Sequence, residues 1–290
     1  MKGIYIALIS FFVLILVVVG VYLLDQAFVP INDNLTEEII KNQNLKNTFK
    51  IDNTDKSIIV GIYNAGYLYH ESHNHGINKD VVTELFNRMN TDFRLEVMPR
   101  VRVSSMIEEG LVHVGVSTVE TPERANYLYF VPYFTEKNDV LVRSDTNIST
   151  EAELLQRENI KVGIVRGYYY GEYYTKLIKK LEAKKMIVQA KDTEQLYKML
   201  DENWIQVTFN LATSYLFYLD YYDIQGINIY DWAPEEEPLV RNLAFSKKYF
   251  SPDDIAKVQK TIDEMIDDGT IYNIFNTYIS DDNTKRMCKR

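Results

Sequence analysis

Ser117-Thr118-Val119-Glu120-Thr121-Pro122-Glu123-Arg124-Ala125-Asn126-Tyr127-Leu128-Tyr129-Phe130-Val131-Pro132-Tyr133-Phe134 is the stretch on which the reading of this chain turns. It follows an apolar, strand-like run, Val112–Val116. Two hydroxyls come first, then a Thr-Pro pair, one arginine, and an aromatic strand ending at Pro132-Tyr133. Thr121 has the side chain of a helix cap, and Pro122 suits the first helical position. Arg124 then falls in the first turn, where free backbone N–H groups and a guanidinium could hold an anion together. The stretch therefore points to recognition of a small ligand that carries a carboxylate, with the hydroxyls of Ser117 and Thr118 close to it.

Strand and helix alternate on both sides of this stretch. Ile58–Tyr63 reads as a strand, Lys79–Met89 as a helix with Val82, Leu85, Phe86 and Met89 on one face, and Phe93–Met98 as a strand. Val103–Glu109 is a short helix ended by Gly110. A second unit opens near Ser144, where Thr150-Glu151-Ala152-Glu153 forms a capping box. Strands at Lys161–Val165, Met186–Ala190 and Ile205–Phe209 then alternate with helices at Tyr173–Ala183, Asp192–Asp201 and Ala212–Tyr218. Leu239–Phe245 looks like a returning strand, Ser251-Pro252 starts a further helix, and a last helix follows Gly269. The order predicts an α/β fold of two doubly wound lobes joined by a hinge, with a ligand cleft beyond the carboxyl ends of the strands.

The expected division is residues 1–25 as membrane anchor or signal peptide and 26–55 as linker. Residues 56–142 plus 246–282 form lobe 1, and 143–245 form lobe 2. The linker is rich in Asn, Asp, Lys and Thr, with a short helix at Glu37–Lys46. Ile4–Leu24 carries no charge and is about long enough to cross a bilayer as a helix. The alternative is a cleaved signal peptide, but Asp25-Gln26-Ala27 makes a poor cleavage site, so we read an uncleaved anchor. Lys2 before the run agrees with an outward-facing remainder. The sole cysteine, Cys288, excludes an internal disulfide and a lipid anchor near the N-terminus. A net charge of −9 argues against a nucleic-acid partner.

Further features attract chemistry. Arg166, at a strand end before Gly167, could bring a second cation to the cleft. Tyr168 and Tyr169 open a tyrosine-rich helix entry and could cover a ligand, in a chain that holds 22 tyrosines. His70, His73 and His75 lie close together, but no well-spaced fourth ligand accompanies them, so no metal site is assigned. No cofactor motif and no nucleotide-binding loop is present. No nucleophile–base pair is evident, so no catalytic residue is assigned and the chain is read as a binding protein, not an enzyme.

From about Ser57 to Ser280 the chain resembles the type II periplasmic solute-binding proteins of amino-acid ABC transporters. Five segments carry the resemblance: Gly76-Ile77-Asn78-Lys79-Asp80; Gly110-Leu111-Val112-His113; Thr121-Pro122-Glu123-Arg124 with Phe130-Val131-Pro132-Tyr133; Val162-Gly163-Ile164-Val165-Arg166-Gly167; and Asp267-Asp268-Gly269-Thr270 with Tyr278. The resemblance implies that Arg124 binds a ligand carboxylate, that Ser117 supplies a hydroxyl and that Tyr69 lies over the ligand. It also implies hinge closure, an extracytoplasmic location and delivery to an ABC permease. A second hydroxyl of the family falls on Val119, and the acid that binds an α-ammonium falls near Asn210-Leu211. The expected ligand is a small, amino-acid-like carboxylate, and with these departures a different carboxylate, a peptide fragment or an aromatic acid fits at least as well as an ordinary α-amino acid. Two alternatives accompany the transport reading. One is a membrane-tethered sensor, held by residues 4–24, that reports to a separate signalling partner. The other is a dehydratase on a cyclic carboxylic acid, with Glu120 or Glu172 as acid or base.

Overall fold

The computed structural model describes residues 57–288. The apolar run Ile4–Leu24 and the linker lie outside them, and among the described residues no helix is long and apolar enough to cross a membrane. β1 (Ile58–Ile62) is almost wholly buried, as befits a strand covered by helices on both faces. α1 (Ile77–Arg88) turns Ile77, Val81, Val82, Leu85 and Phe86 inward. β2 (Phe93–Val97), α2 (Arg100–Glu109) and β3 (Val114–Thr118) follow, and β1 pairs in parallel with both β2 and β3.

The chain then runs through β4 (Leu128–Glu136) and, after Lys137 alone, β5 (Asn138–Arg143), which belongs to a second sheet. α3 (Glu151–Leu155) begins with the expected capping box at Thr150. β6 (Val162–Val165), α4 (Glu172–Ala183), β7 (Ile187–Ala190), α5 (Thr193–Asp201), β8 (Val207–Leu211), α6 (Ala212–Tyr221) and β9 (Ile227–Tyr230) complete the second lobe. β10 (Leu239–Ser246) returns to the first sheet, and α7 (Pro252–Asp267), α8 (Thr270–Tyr278) and α9 (Asp281–Met287) close the chain. The sheet orders are β2-β1-β3-β10-β4 and β7-β6-β8-β5-β9. The parallel, doubly wound core of each lobe is as the alternation implies, with an antiparallel crossing strand inserted in each.

The sheets place the crossings earlier than residues 142/143 and 245/246: β5 already pairs with β8, and β10 already pairs with β3 and β4. The chain stays extended through the first crossing, so no turn residue marks it. Leu239 pairs with Glu136, which sets the start of the return strand beside the end of the outgoing one.

A packed wall joins the lobes besides these crossings. α6 carries apolar residues nearly all round, and such a helix must be covered. Its residues Tyr215, Phe217 and Tyr218 belong to the same core as Ile58, Phe86 and Phe275 of the first lobe. The tight turn Gly66–Leu68 packs on it. Gly66 has φ +62°, and a Cβ there would lie 2.6 Å from the carbonyl oxygen of Thr213. A separate core of Val162, Tyr174, Leu177 and Phe209 supports the other side of the second lobe.

Candidate functional site

A cavity of about 310 Å³ lies between the lobes. It sits where the parallel strands end, as expected for an α/β sheet. Tyr63 follows β1, Met98 and Arg100 follow β2, and Ser117 stands near the end of β3. The second lobe contributes Val165 at the end of β6 and Tyr168 just after it, Asp192 and Thr193 after β7, Leu211 at the end of β8 and Ser214 in the first turn of α6. Arg241 enters from the crossing strand β10.

Ser117, Arg166 and Tyr168, of the seven residues expected at the site, line this cavity. Ser117 is 2% exposed and has φ +49°, a left-handed conformation that a serine adopts only where its surroundings hold it. Tyr133 and Asn78 hold it. The Ser117 N–H donates to Tyr133 Oη at 3.1 Å, and its Oγ donates to Asn78 Oδ1 at 3.0 Å. Tyr133 Oη donates to the same Oδ1 at 2.6 Å, and burial pushes its pKa up, so the phenol stays neutral. Ser117 is thus a strut of the cavity wall. Arg166 is exposed, and Tyr168 is half-buried.

Arg124, Thr118, Tyr69 and Tyr169 fall outside the cavity lining. Arg124 opens a single 3₁₀ turn, Arg124–Asn126, where a longer helix was expected. Thr121 Oγ1 does accept from the Arg124 N–H, at 3.3 Å, yet one turn offers no stack of aligned peptide dipoles to an anion. The Arg124 guanidinium turns back on its own loop, with Nη1 donating to the Val119 carbonyl at 2.9 Å. Thr118 Oγ1 donates to the Val116 carbonyl at 3.3 Å. Tyr69 is 2% exposed in the core beneath α1, and Tyr169 points outward.

Two cavity arginines, Arg100 and Arg241, escaped the sequence reading. Arg100 lies over the ring of Tyr168 at 4.8 Å and that of Tyr63 at 5.7 Å, so one guanidinium touches a ring from each lobe. Arg241 is 2% exposed, and its Nη2 donates to Tyr168 Oη at 3.2 Å. Among the described residues its Nε has no hydrogen-bond partner. An arginine inside the apolar run Leu239–Phe245 was the available signal. Glu136, buried at the outgoing crossing, accepts from Thr213 Oγ1 at 2.6 Å and from its N–H at 3.2 Å. Burial raises its pKa, against the opposing pull of Arg241 and Thr213.

The acids at the cavity are engaged or peripheral. Asp192 caps α5 by accepting from the Gln195 N–H at 2.8 Å. Glu194 pairs with Lys198 at 2.7 Å, and Glu71 is exposed. Leu211, where the resemblance expects an acid, is 3% exposed and lines the cavity. Glu120 and Glu172 do not line it. In the histidine loop, His70 Nδ1 is hydrogen-bonded with Ser72 Oγ at 2.8 Å, and His73 stacks on His75 at 5.4 Å. Burial and the neighbouring His73 lower the His70 pKa. Among the described residues no group of three or more such side chains is arranged to hold a metal ion.

The fold recurs among solved structures. The chain is similar to an ancestral arginine-binding protein bound to glutamine, at 16% identity and TM-score 0.65, covering 78% of this chain and 99% of that one. It is similar to the arginine-, lysine-, histidine-binding protein ArtJ from Geobacillus stearothermophilus, at 16% identity and TM-score 0.64, over 79% and 100% of the two chains. It is also similar to a histidine kinase sensor domain that resembles periplasmic binding proteins, at 13% identity and TM-score 0.64, over 78% and 96%. At these identities the likeness establishes the fold alone. Comparison with curated protein sequences found no match. The profile of the bacterial extracellular solute-binding proteins, family 3, matches residues 58–281, and the chain belongs to that family.

Proposed function

We propose that the chain captures a small carboxylate-bearing solute in the interlobe cavity, outside the cytoplasmic membrane, and delivers it to an ABC permease. The convergence of Arg100, Arg166, Lys191 and Arg241 on one cavity carries this reading. The cavity's size, about 310 Å³, suits a small organic acid. Ser117 shapes the wall, while Arg166 and Tyr168 contact the solute from the second lobe. Closure pivots on the crossings at Lys137 and between Tyr230 and Leu239, and solute contacts from both lobes bias the closed form by their differential affinity for it. The run Ile4–Leu24 would hold the protein at the membrane. Likeness to a histidine kinase sensor domain supports a second reading, in which the same module reports solute to a separate signalling partner.

A thermal-shift screen of the full-length chain against amino acids, small carboxylates and divalent metals tests the proposal. A true ligand at about 100 times its Kd should add about 2.7 kcal/mol of stability. A screen in which no carboxylate shifts the transition would contradict it. Stimulation of a permease ATPase by the loaded protein would favour delivery, and stimulation of a kinase would favour sensing.

A further inference from the structure

We propose that Arg241 is the anion anchor of the cavity, and that its ligand is a carboxylate with an apolar body and no α-ammonium group. The inference rests on the solute-binding reading above and adds to it the anchoring residue and the ligand class.

Arg241 is among the largest fully buried side chains of the described residues, and it borders the cavity. A buried guanidinium has five N–H donors and no acceptor, so each donor left unpaired costs free energy. One bond goes to Tyr168 Oη, and Nε is unpaired among the described residues. Glu136 helps to balance the charge; its Oε1 accepts from Thr213, and among the described residues its Oε2 has no hydrogen-bond partner, so the carboxylate does not pair with the guanidinium. A carboxylate in the cavity would supply the flat, two-oxygen acceptor that the guanidinium fork matches. Arg124 has its Nη1 on the Val119 carbonyl and does not border the cavity.

The opposite requirement, a buried and uncommitted acid for an ammonium, is not met by this cavity among the described residues. Leu211 presents a hydrocarbon surface at the end of β8. The Asn210 Oδ1 beside it already accepts from the Leu211 N–H at 2.8 Å. Asp192 and Glu194 are committed to their helix cap and ion pair, and Glu71, the third acid of the lining, is exposed to solvent. Leu68, Met98, Val165 and Leu211 give the cavity an apolar lining against which a hydrocarbon or aromatic body would lie. An ammonium placed there would lose its hydration without gaining a partner.

The test uses matched compounds on the full-length chain, by calorimetric titration: 3-phenylpropionate, phenylalanine and phenethylamine, with hexanoate, norleucine and hexylamine as the aliphatic set. At least one of the two acids should bind at least tenfold more tightly than its amino-acid counterpart, and neither amine should bind. Arg241→Gln should weaken the acid at least thirtyfold, Arg241→Lys less, and Arg124→Gln at most twofold. Leu211→Asp provides a check that does not depend on the arginine variants folding: it should narrow or reverse the preference for acid over amino acid. If amino acids bind while the deaminated acids do not, the inference is overturned and the solute-binding reading stands. Loss of acid binding in Arg124→Gln but not in Arg241→Gln would also overturn it. Failure of both acids to bind the wild-type chain overturns the ligand class, whereas failure of every carboxylate in the broader screen overturns the solute-binding reading itself.

Discussion

Arg241 of the returning strand donates a hydrogen bond from Nη2 to Tyr168 Oη at 3.2 Å, which ties the first sheet to the second-lobe loop after β6. The same tyrosine ring carries the Arg100 guanidinium at 4.8 Å, so Tyr168 joins three separate segments at one edge of the cavity. Tyr168→Phe removes the acceptor and leaves a second arginine donor unpaired, at a cost of about 1–3 kcal/mol. Tyr168→Ala also removes the ring under Arg100, adding about 0.5–2 kcal/mol for the cation–π contact. Urea denaturation should therefore rank wild type, Tyr168→Phe and Tyr168→Ala in falling stability. Equal stability of all three would show that the contact contributes nothing.

Glu136 gives the protein a testable pH dependence. Burial raises its folded pKa above the ordinary 4.5, and Arg241 and Thr213 offset this only in part. A raised carboxyl pKa means that the fold binds the proton more tightly than the unfolded chain does. The contribution to stability is complete below the ordinary carboxyl value and is lost as pH rises through the folded value. Glu136→Gln, which mimics the protonated acid, should lose less stability than wild type as pH rises above 4.5. Asp139, whose pKa burial also raises, is common to both proteins and cancels in the comparison. Parallel pH profiles for the two proteins would contradict the assignment.

The wall between the lobes can be probed through two glycines with similar backbone conformations. Gly66 and Gly269 have φ +62° and +81°, so alanine at either incurs strain of about 1 kcal/mol or more. A Cβ at Gly66 would also meet the Thr213 carbonyl oxygen at 2.6 Å and Ser214 Cα at 2.9 Å, whereas the nearest atom to one at Gly269 is 4.0 Å away. Gly66→Ala should cost at least about 1–3 kcal/mol more than Gly269→Ala, because overpacking adds to the strain. Equal losses in chemical denaturation would mean that the wall yields without cost.

Helix capping supplies a prediction from features that the sequence already displays. Ser251 Oγ accepts from the Asp254 N–H at 3.3 Å, and the Asp254 carboxylate accepts from the Ser251 N–H at 3.0 Å. Ser251→Ala should cost about 0.5–2 kcal/mol, measured as a fall in the urea midpoint at unchanged slope. No change in midpoint would show that the end of α7 is held by other contacts.

The capping box at Thr150 and the capping side chains of Asp192 and Ser251 were legible because they depend on residues within one turn of one segment, and the structure completes a second box at Ser251 with Asp254. β1 and β6 were legible because they are almost wholly buried and their apolar runs are continuous, and β2 because its apolar residues alternate. β5 and β9 were not. β5 follows β4 after one residue, so no turn separates them, and β9 is a short edge strand with two exposed residues. The site was legible only in part. Ser117, Arg166 and Tyr168 stand at strand ends, which local pattern locates. Arg241 interrupts an apolar strand, and only the crossing between sheets reveals that its head meets a cavity from within. Arg124 had the expected local sequence, but its guanidinium found an acceptor in its own loop at Val119.

The central claim is that a small carboxylate binds between the lobes, and filling that space tests it most directly. The carboxylate with the largest thermal shift would be titrated calorimetrically into the wild-type chain and into Leu211→Trp, whose indole would occupy the cavity. The wild type should bind one equivalent, and a Leu211→Trp protein that unfolds at the same temperature as wild type should bind at least a hundredfold more weakly. Equal affinity in the two folded proteins would place the ligand elsewhere and contradict the account.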